Sequence, residues 1–262
     1  MICFAAITPH TPLLIPGVGK ENLSKLEATT AALKHLEGEL YASHPDVIVV
    51  ISSHATQHKD AFSLNLHDEY SIDFKDFGDL ATSRTLKPDL ELATAIEAHL
   101  HTHGVPFTLD SNPSLDYGTG VPLFFLTENL TNINIIPVSF SGLSAKDHVR
   151  LGTQLKDVFE HSTKRIAVVA SGDLSHCLSS DAPLGYNPEG EVYDQKILEA
   201  VKGLSTSALL SMTTPLLESA HACVQEQLLI LFGILERKKV RSEIVSYEHP
   251  FGVGYLVAQV HL

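Results

Sequence analysis

The stretch Arg165-Ile-Ala-Val-Val-Ala-Ser-Gly-Asp-Leu-Ser-His176 joins an apolar run, too short for a helix, to a small-residue turn that carries Asp173 and His176. Such a run reads as a buried strand emptying into a functional loop. The same arrangement occurs twice earlier: Ile2 to Ile7 leads into Thr8-Pro9-His10, and Asp46 to Ile51 leads into Ser52-Ser53-His54. Three buried strands that each deliver a histidine at the carboxyl end constrain the fold strongly. Buried strands of this kind belong to parallel sheets covered on both faces, and ligands of open α/β sheets bind beyond the carboxyl strand ends. The chain is therefore expected to be a single α/β domain over residues 1–262, with a mixed, mostly parallel central sheet flanked by helices. Its site should lie at the carboxyl ends of the strands.

The intervening segments agree with that class. From Glu21 to about Leu40 the leucines 23, 26, 33, 36 and 40 recur at helical spacing and predict one buried stripe. Residues 61–86 alternate in Phe62–Leu66 and Tyr70–Phe74, predicting a peripheral hairpin or edge strands. Lys87-Pro88-Asp89 predicts a helix opened by proline in its first turn. Asp116-Tyr-Gly-Thr-Gly-Val-Pro122 reads as a glycine-bearing turn before an apolar segment. Asn134–Phe140 reads as a strand that Pro137 confines to an edge or bulge. Ser144 and Asp147 form a helix-capping pair, and one helix is expected over Ala220–Lys239.

Composition narrows the function. The chain carries 18 Lys+Arg against 31 Asp+Glu, a formal charge of −13, without a local basic patch, so nucleic acid is not an expected partner. The apolar run at the amino terminus is too short for a membrane span and has no basic leader, which argues for a soluble cytoplasmic protein and against a membrane partner. Cys3, Cys177 and Cys223 are odd in number and far apart, which fits reduced thiols. Fifteen histidines raise the expectation of metal or acid–base chemistry.

Two neutral imidazoles with one anionic side chain form a facial set that holds Fe(II) and leaves open positions. His10 and His54 supply imidazoles, His176 is a spare one for proton transfer, and the segment after Ala220 offers an anion. The third ligand stays open among Glu218, Cys223 and Glu226. Zinc is the rival metal, since it accepts His and Cys and supports hydrolysis. A serine hydrolase is disfavoured because Gly-x-Ser-x-Gly is absent.

Taken together, Thr-Pro-His10, Ser-Ser-His54, Asp116-Tyr-Gly-Thr-Gly-Val-Pro122, Gly172-Asp-Leu-Ser-His176, Pro183-Leu-Gly-Tyr-Asn-Pro-Glu-Gly190 and Phe251-Gly-Val-Gly-Tyr255 resemble the class III extradiol ring-cleavage dioxygenases, in the superfamily shared with the Memo-like proteins. The likeness spans nearly the whole chain. It implies that His10 and His54 are metal ligands and that His176 is the general acid/base, with Asp173 of the same motif and Tyr117 completing the catalytic set. Tyr117 stands where dioxygenases of this family usually carry histidine in Asp-His-Gly. Cys223 aligns with the usual glutamate ligand, as in Memo-like proteins, and so softens the site from Fe(II) towards zinc or copper. The implied activity is opening of a small catechol-like aromatic with dioxygen, in a chain that can form a homo-oligomer. The alternative is a Memo-like metal-binding protein with a redox or binding role.

Overall fold

The computed structural model describes residues 1–262. Its framework is a mixed sheet of ten strands: β1 (Ile2–Thr8), β2 (Val47–Ser52), β3 (Phe62–Asn65), β4 (Tyr70–Phe74), β5 (Asp79–Pro88), β6 (Phe107–Asp110), β7 (Asn134–Ser139), β8 (Ile166–Ser171), β9 (Arg241–Glu248) and β10 (Tyr255–His261). The order is β4-β5-β7-β2-β8-β1-β10-β9, with β3 on the far half of β7 and β6 outside β3. Strands β7, β2, β8 and β1 run parallel, while β10 and β9 close one side antiparallel. The expected α/β architecture is thus present.

Residues of β2 and β8 are buried on both faces, which is why these strands are continuous apolar runs rather than alternating ones. Odd and even positions serve different cores. Val47, Val49 and Ile51 pack with the helices Leu90–Thr102, Ala145–His161, Pro188–Gly203 and Gln225–Leu235. Ile48 and Val50 pack with the helices Glu27–Ala42 and Tyr117–Leu126 on the other side. No helix is long and apolar enough to cross a membrane.

Ser144 and Asp147 form the anticipated capping box, and Leu26, Leu33, Leu36 and Leu40 form the buried stripe, whereas Leu23 lies before the helix, in a 3-10 segment Lys20–Lys25, and is only partly buried. Several expectations need correction. Pro88 does not open a helix: it ends β5, and the helix begins at Leu90, where the Asp89 carboxylate accepts the Leu92 N–H at 3.0 Å. Pro137 lies inside the sheet rather than at an edge. Its side of β7 meets β5 only at residues 134 and 135 and β3 only at 138 and 139, so the missing N–H falls in the gap between two partners. The segment 61–86 does supply edge strands, with β4 and β5 an antiparallel pair at one end of the sheet, but one face of β4 carries Tyr70, Ile72 and Phe74 into the smaller core. The stretch 116–126 is a helix from Tyr117, capped by Asp116. Finally, no single helix covers 220–239. A helix Thr214–Ala220 stops at His221, whose φ of 50° is left-handed, and a second runs from Gln225 to Leu235. Cys223 therefore sits in a turn and not on a helix face.

Candidate metal centre at the strand ends

Strands β2, β8 and β1 are neighbours, and their ends are level, since Thr8 pairs with Ser171 and Ile51 with Ala170. Two residues beyond each end stand His10, His54 and Asp173. A shared offset from three level strands delivers three side chains to one place.

His10 is 1% exposed, and its Nε2 lies 3.1 Å from Nε2 of His54 and 3.4 Å from Sγ of Cys223. One donor atom from each of the three lies within 4.8 Å of the others. The Nδ1 of His10 meets the Ser171 hydroxyl at 3.2 Å, so Nε2 is the nitrogen turned to the cluster. Ser171 in turn donates to the Gly118 carbonyl. His54 is fixed from behind. The Ser52 hydroxyl accepts the His54 N–H at 3.2 Å and donates to Asp116 at 2.5 Å, and Asp116 also accepts from the Thr119 N–H and hydroxyl. A β-carbon on Gly118 would stand 2.5 Å from the Ser52 oxygen and 3.3 Å from the His54 ring, so only glycine lets this helix start approach so closely.

Tyr117 stacks on His54 with ring centroids 4.2 Å apart, and its hydroxyl is nearly equidistant from both ring nitrogens. That is a face contact and not a directed hydrogen bond. Asp173 anchors the third loop: its Oδ1 accepts the His10 N–H at 2.9 Å, its own N–H points at the Cys223 sulfur at 3.3 Å, and its carbonyl accepts the Cys223 N–H at 3.1 Å. His176 is half-buried, with its Nδ1 buried and unpartnered.

Burial pushes the His10 imidazole down to about 3, and burial together with the neighbouring His10 pushes the His54 imidazole down to about 4. Both rings are therefore neutral, with lone pairs free. Burial and the Asp173 carboxylate push the Cys223 thiol up to about 12, and burial raises Asp173 to about 6. Two neutral imidazoles and a thiol converging at under 5 Å suit a divalent transition metal, whose charge would reverse the cost of the thiolate. Glu218 is exposed on the helix Thr214–Ala220, and Glu226 lies in the first turn of Gln225–Leu235. Neither joins the three-donor group.

The supporting residues Ser52, Ser171 and Asp116 were not singled out from sequence. The available signal was the hydroxyl residue that ends each of the three central strands. A further support is Asp194, fully buried, which accepts the Ser175 N–H at 2.8 Å and the Tyr247 hydroxyl at 2.7 Å and so holds the loop just before His176.

Burial raises Asp194 to about 6. A carboxyl whose folded pKa lies above its unfolded value stabilises the fold at low pH and loses that contribution as pH climbs through the folded value. The difference between 3.8 and about 6 is worth about 3 kcal/mol. Asp194→Asn keeps an acceptor and a donor, so its stability relative to the parent should rise by up to that amount between pH 4 and 7.5. Urea unfolding at both pH values measures it, and a difference that does not change with pH would rule the assignment out.

The sequence profile described as the catalytic LigB subunit of aromatic ring-opening dioxygenase matches residues 4–258. "Protein CA_C1420" of Clostridium acetobutylicum is 32% identical over 97% of the chain, and 56% of that protein is covered. A "2,3-dihydroxyphenylpropionate/2,3-dihydroxicinnamic acid 1,2-dioxygenase" of Mycobacterium sp. is 28% identical over 64% of the chain and 55% of its own length. The chain thus spans about half the length of the curated relatives it matches. The crystal structure of uncharacterized protein JW3007 from Escherichia coli K12 superposes with a TM-score of 0.68 at 18% identity, covering 99% of this chain and all of that one, which shows a common fold.

Proposed function

The chain belongs to the family of the catalytic LigB subunit of aromatic ring-opening dioxygenases, and from that premise we propose that it is a metal-dependent extradiol dioxygenase acting on a small catechol-like aromatic. The observation that carries the reading is the convergence of His10, His54 and Cys223, from three separated segments, on a volume under 5 Å across. In this reading these three hold Fe(II), which supplies the redox and Lewis-acid chemistry that couples a catechol to dioxygen. Asp173 and Ser171 keep His10 turned so that Nε2 faces the cluster, and Tyr117 covers the open side of His54. His176 accepts a proton from the diol and returns it to the opened product, a role open to a half-buried ring that no hydrogen bond within the protein engages. Anaerobic reconstitution with Fe(II), followed by a catechol panel watched for yellow ring-cleavage products, tests the activity. Firm retention of zinc or copper with no turnover would remove it.

One feature favours a second reading. Cys223 occupies the place of a carboxylate ligand, and a sulfur donor shifts metal preference towards zinc or copper. The same centre would then serve a Memo-like binding or redox role without ring cleavage. Cys223→Ser separates ligand from bystander: the Co(II)-loaded protein should show a sulfur-to-metal charge-transfer band that this variant abolishes, with weakened metal retention. If Glu226→Gln empties the centre and Cys223→Ser does not, the carboxylate is the ligand. The three free thiols and the acidic surface fit a reducing, cytoplasmic setting.

A further inference from the structure

We propose that the cavity beside this centre selects aromatic molecules bearing a protonated amine and disfavours those bearing a carboxylate. The inference rests on the reading of His10, His54 and Cys223 as the reactive centre. The cavity has a volume of about 500 Å³, and His54 and Tyr117 form part of its wall. That is room for a single-ring molecule with a short side chain.

Four carboxylates, Asp73, Asp76, Asp110 and Asp116, border it, and no lysine or arginine does. Asp73 is compensated by Lys75 at 3.1 Å, and Asp110 is hydrogen-bonded by the His58 ring at 2.9 Å. Asp76 and Asp116 have no cationic partner, and the donors on Asp116 are the neutral groups of Ser52 and Thr119. The wall therefore carries negative charge, at the exposed Asp76 above all, that no lysine or arginine of the lining offsets, so a cationic group is favoured there over an anionic one.

A second observation is independent of the acids. Ser139, at the end of β7, is 2% exposed and forms part of the cavity wall on the same strand face as Pro137, with its hydroxyl open to the cavity and engaged by no side-chain hydrogen bond. A hydroxyl on a cavity wall that no protein group engages is available to a polar group of a ligand. An ammonium donates to it readily. Phe77 and Tyr117, with centroids 5.3 Å apart at 76°, offer aromatic faces both to a ring and to a cation. A propionate-bearing catechol, such as the one in the mycobacterial relative's name, would meet this wall with like charge.

The test is calorimetric binding of tyramine and of its carboxylate counterpart, hydroxyphenylpropionate, to the full chain, with and without divalent metal. Tyramine should bind tighter by on the order of 10-fold at low salt, with the gap closing as salt rises. Asp76 is exposed, so Asp76→Asn should fold normally and narrow the gap by about threefold, and Asp76→Lys should erase it. Metal stoichiometry should stay unchanged in both variants. Equal binding, a preference for the carboxylate, no binding of either, or a gap indifferent to both substitutions would overturn the proposal. Neither probe needs to be turned over. If no catechol is opened yet the amine preference holds, the activity reading fails and the selectivity stands.

Discussion

His10→Ala is expected to abolish stoichiometric metal binding while leaving the sheet folded. The ring is 1% exposed and its Nε2 is the atom closest to both other donors, at 3.1 Å from His54 and 3.4 Å from Cys223. Removing a group that merely orients a ligand costs about 10–100-fold in metal affinity, so losing the central donor should exceed that. The fold should survive because His10 lies beyond the end of β1, and its backbone N–H keeps its bond to Asp173. The buried imidazole is neutral, so its removal strands no charge. The cavity it leaves should cost on the order of 1–3 kcal/mol. Elemental analysis after reconstitution, with far-UV circular dichroism as a control, reads the outcome. Stoichiometric metal in a folded His10→Ala protein would exclude His10 as a ligand.

His176→Ala should do the opposite, keeping the metal and losing turnover by about 10²- to 10⁴-fold, the range for a lost general acid/base. His176 is outside the three-donor group, yet it lies near enough to His10, His54 and Asp173 to act on them electrostatically, so it stands close to the centre without belonging to it. Its backbone N–H is fixed to the Ala220 carbonyl and the preceding residue to Asp194, which hold the loop without using the ring. Single-turnover kinetics on protein of matched metal content would separate the two roles. Loss of metal in this variant would make His176 a ligand, and unchanged turnover would remove it from the chemistry.

Much of this centre is written locally. Continuous apolar runs in β1, β2 and β8 mark strands buried on both faces, and a hydroxyl residue followed two positions later by His10, His54 or Asp173 marks where each strand delivers a side chain. Helical spacing of leucines and the Ser144–Asp147 cap are equally local, because each depends only on neighbours a few residues away. Other features depend on partners that periodicity does not reveal. Pro137 is tolerated within the sheet because two different strands share one side of β7, a fact of strand order. Cys223 meets His10 across 213 residues because the chain breaks at His221 and re-enters a helix at Gln225, so sequence spacing on an assumed helix could not distinguish Cys223 from Glu226. The link from Ser52 to Asp116, which backs His54, likewise exists only once the helix at Tyr117 has docked over the end of β2. Sequence by itself determined which residues each strand offers and the class of sheet that offers them. Tertiary structure alone decided which of those residues meet, since that is set by strand order and by how closely small residues such as Gly118 let the layers approach.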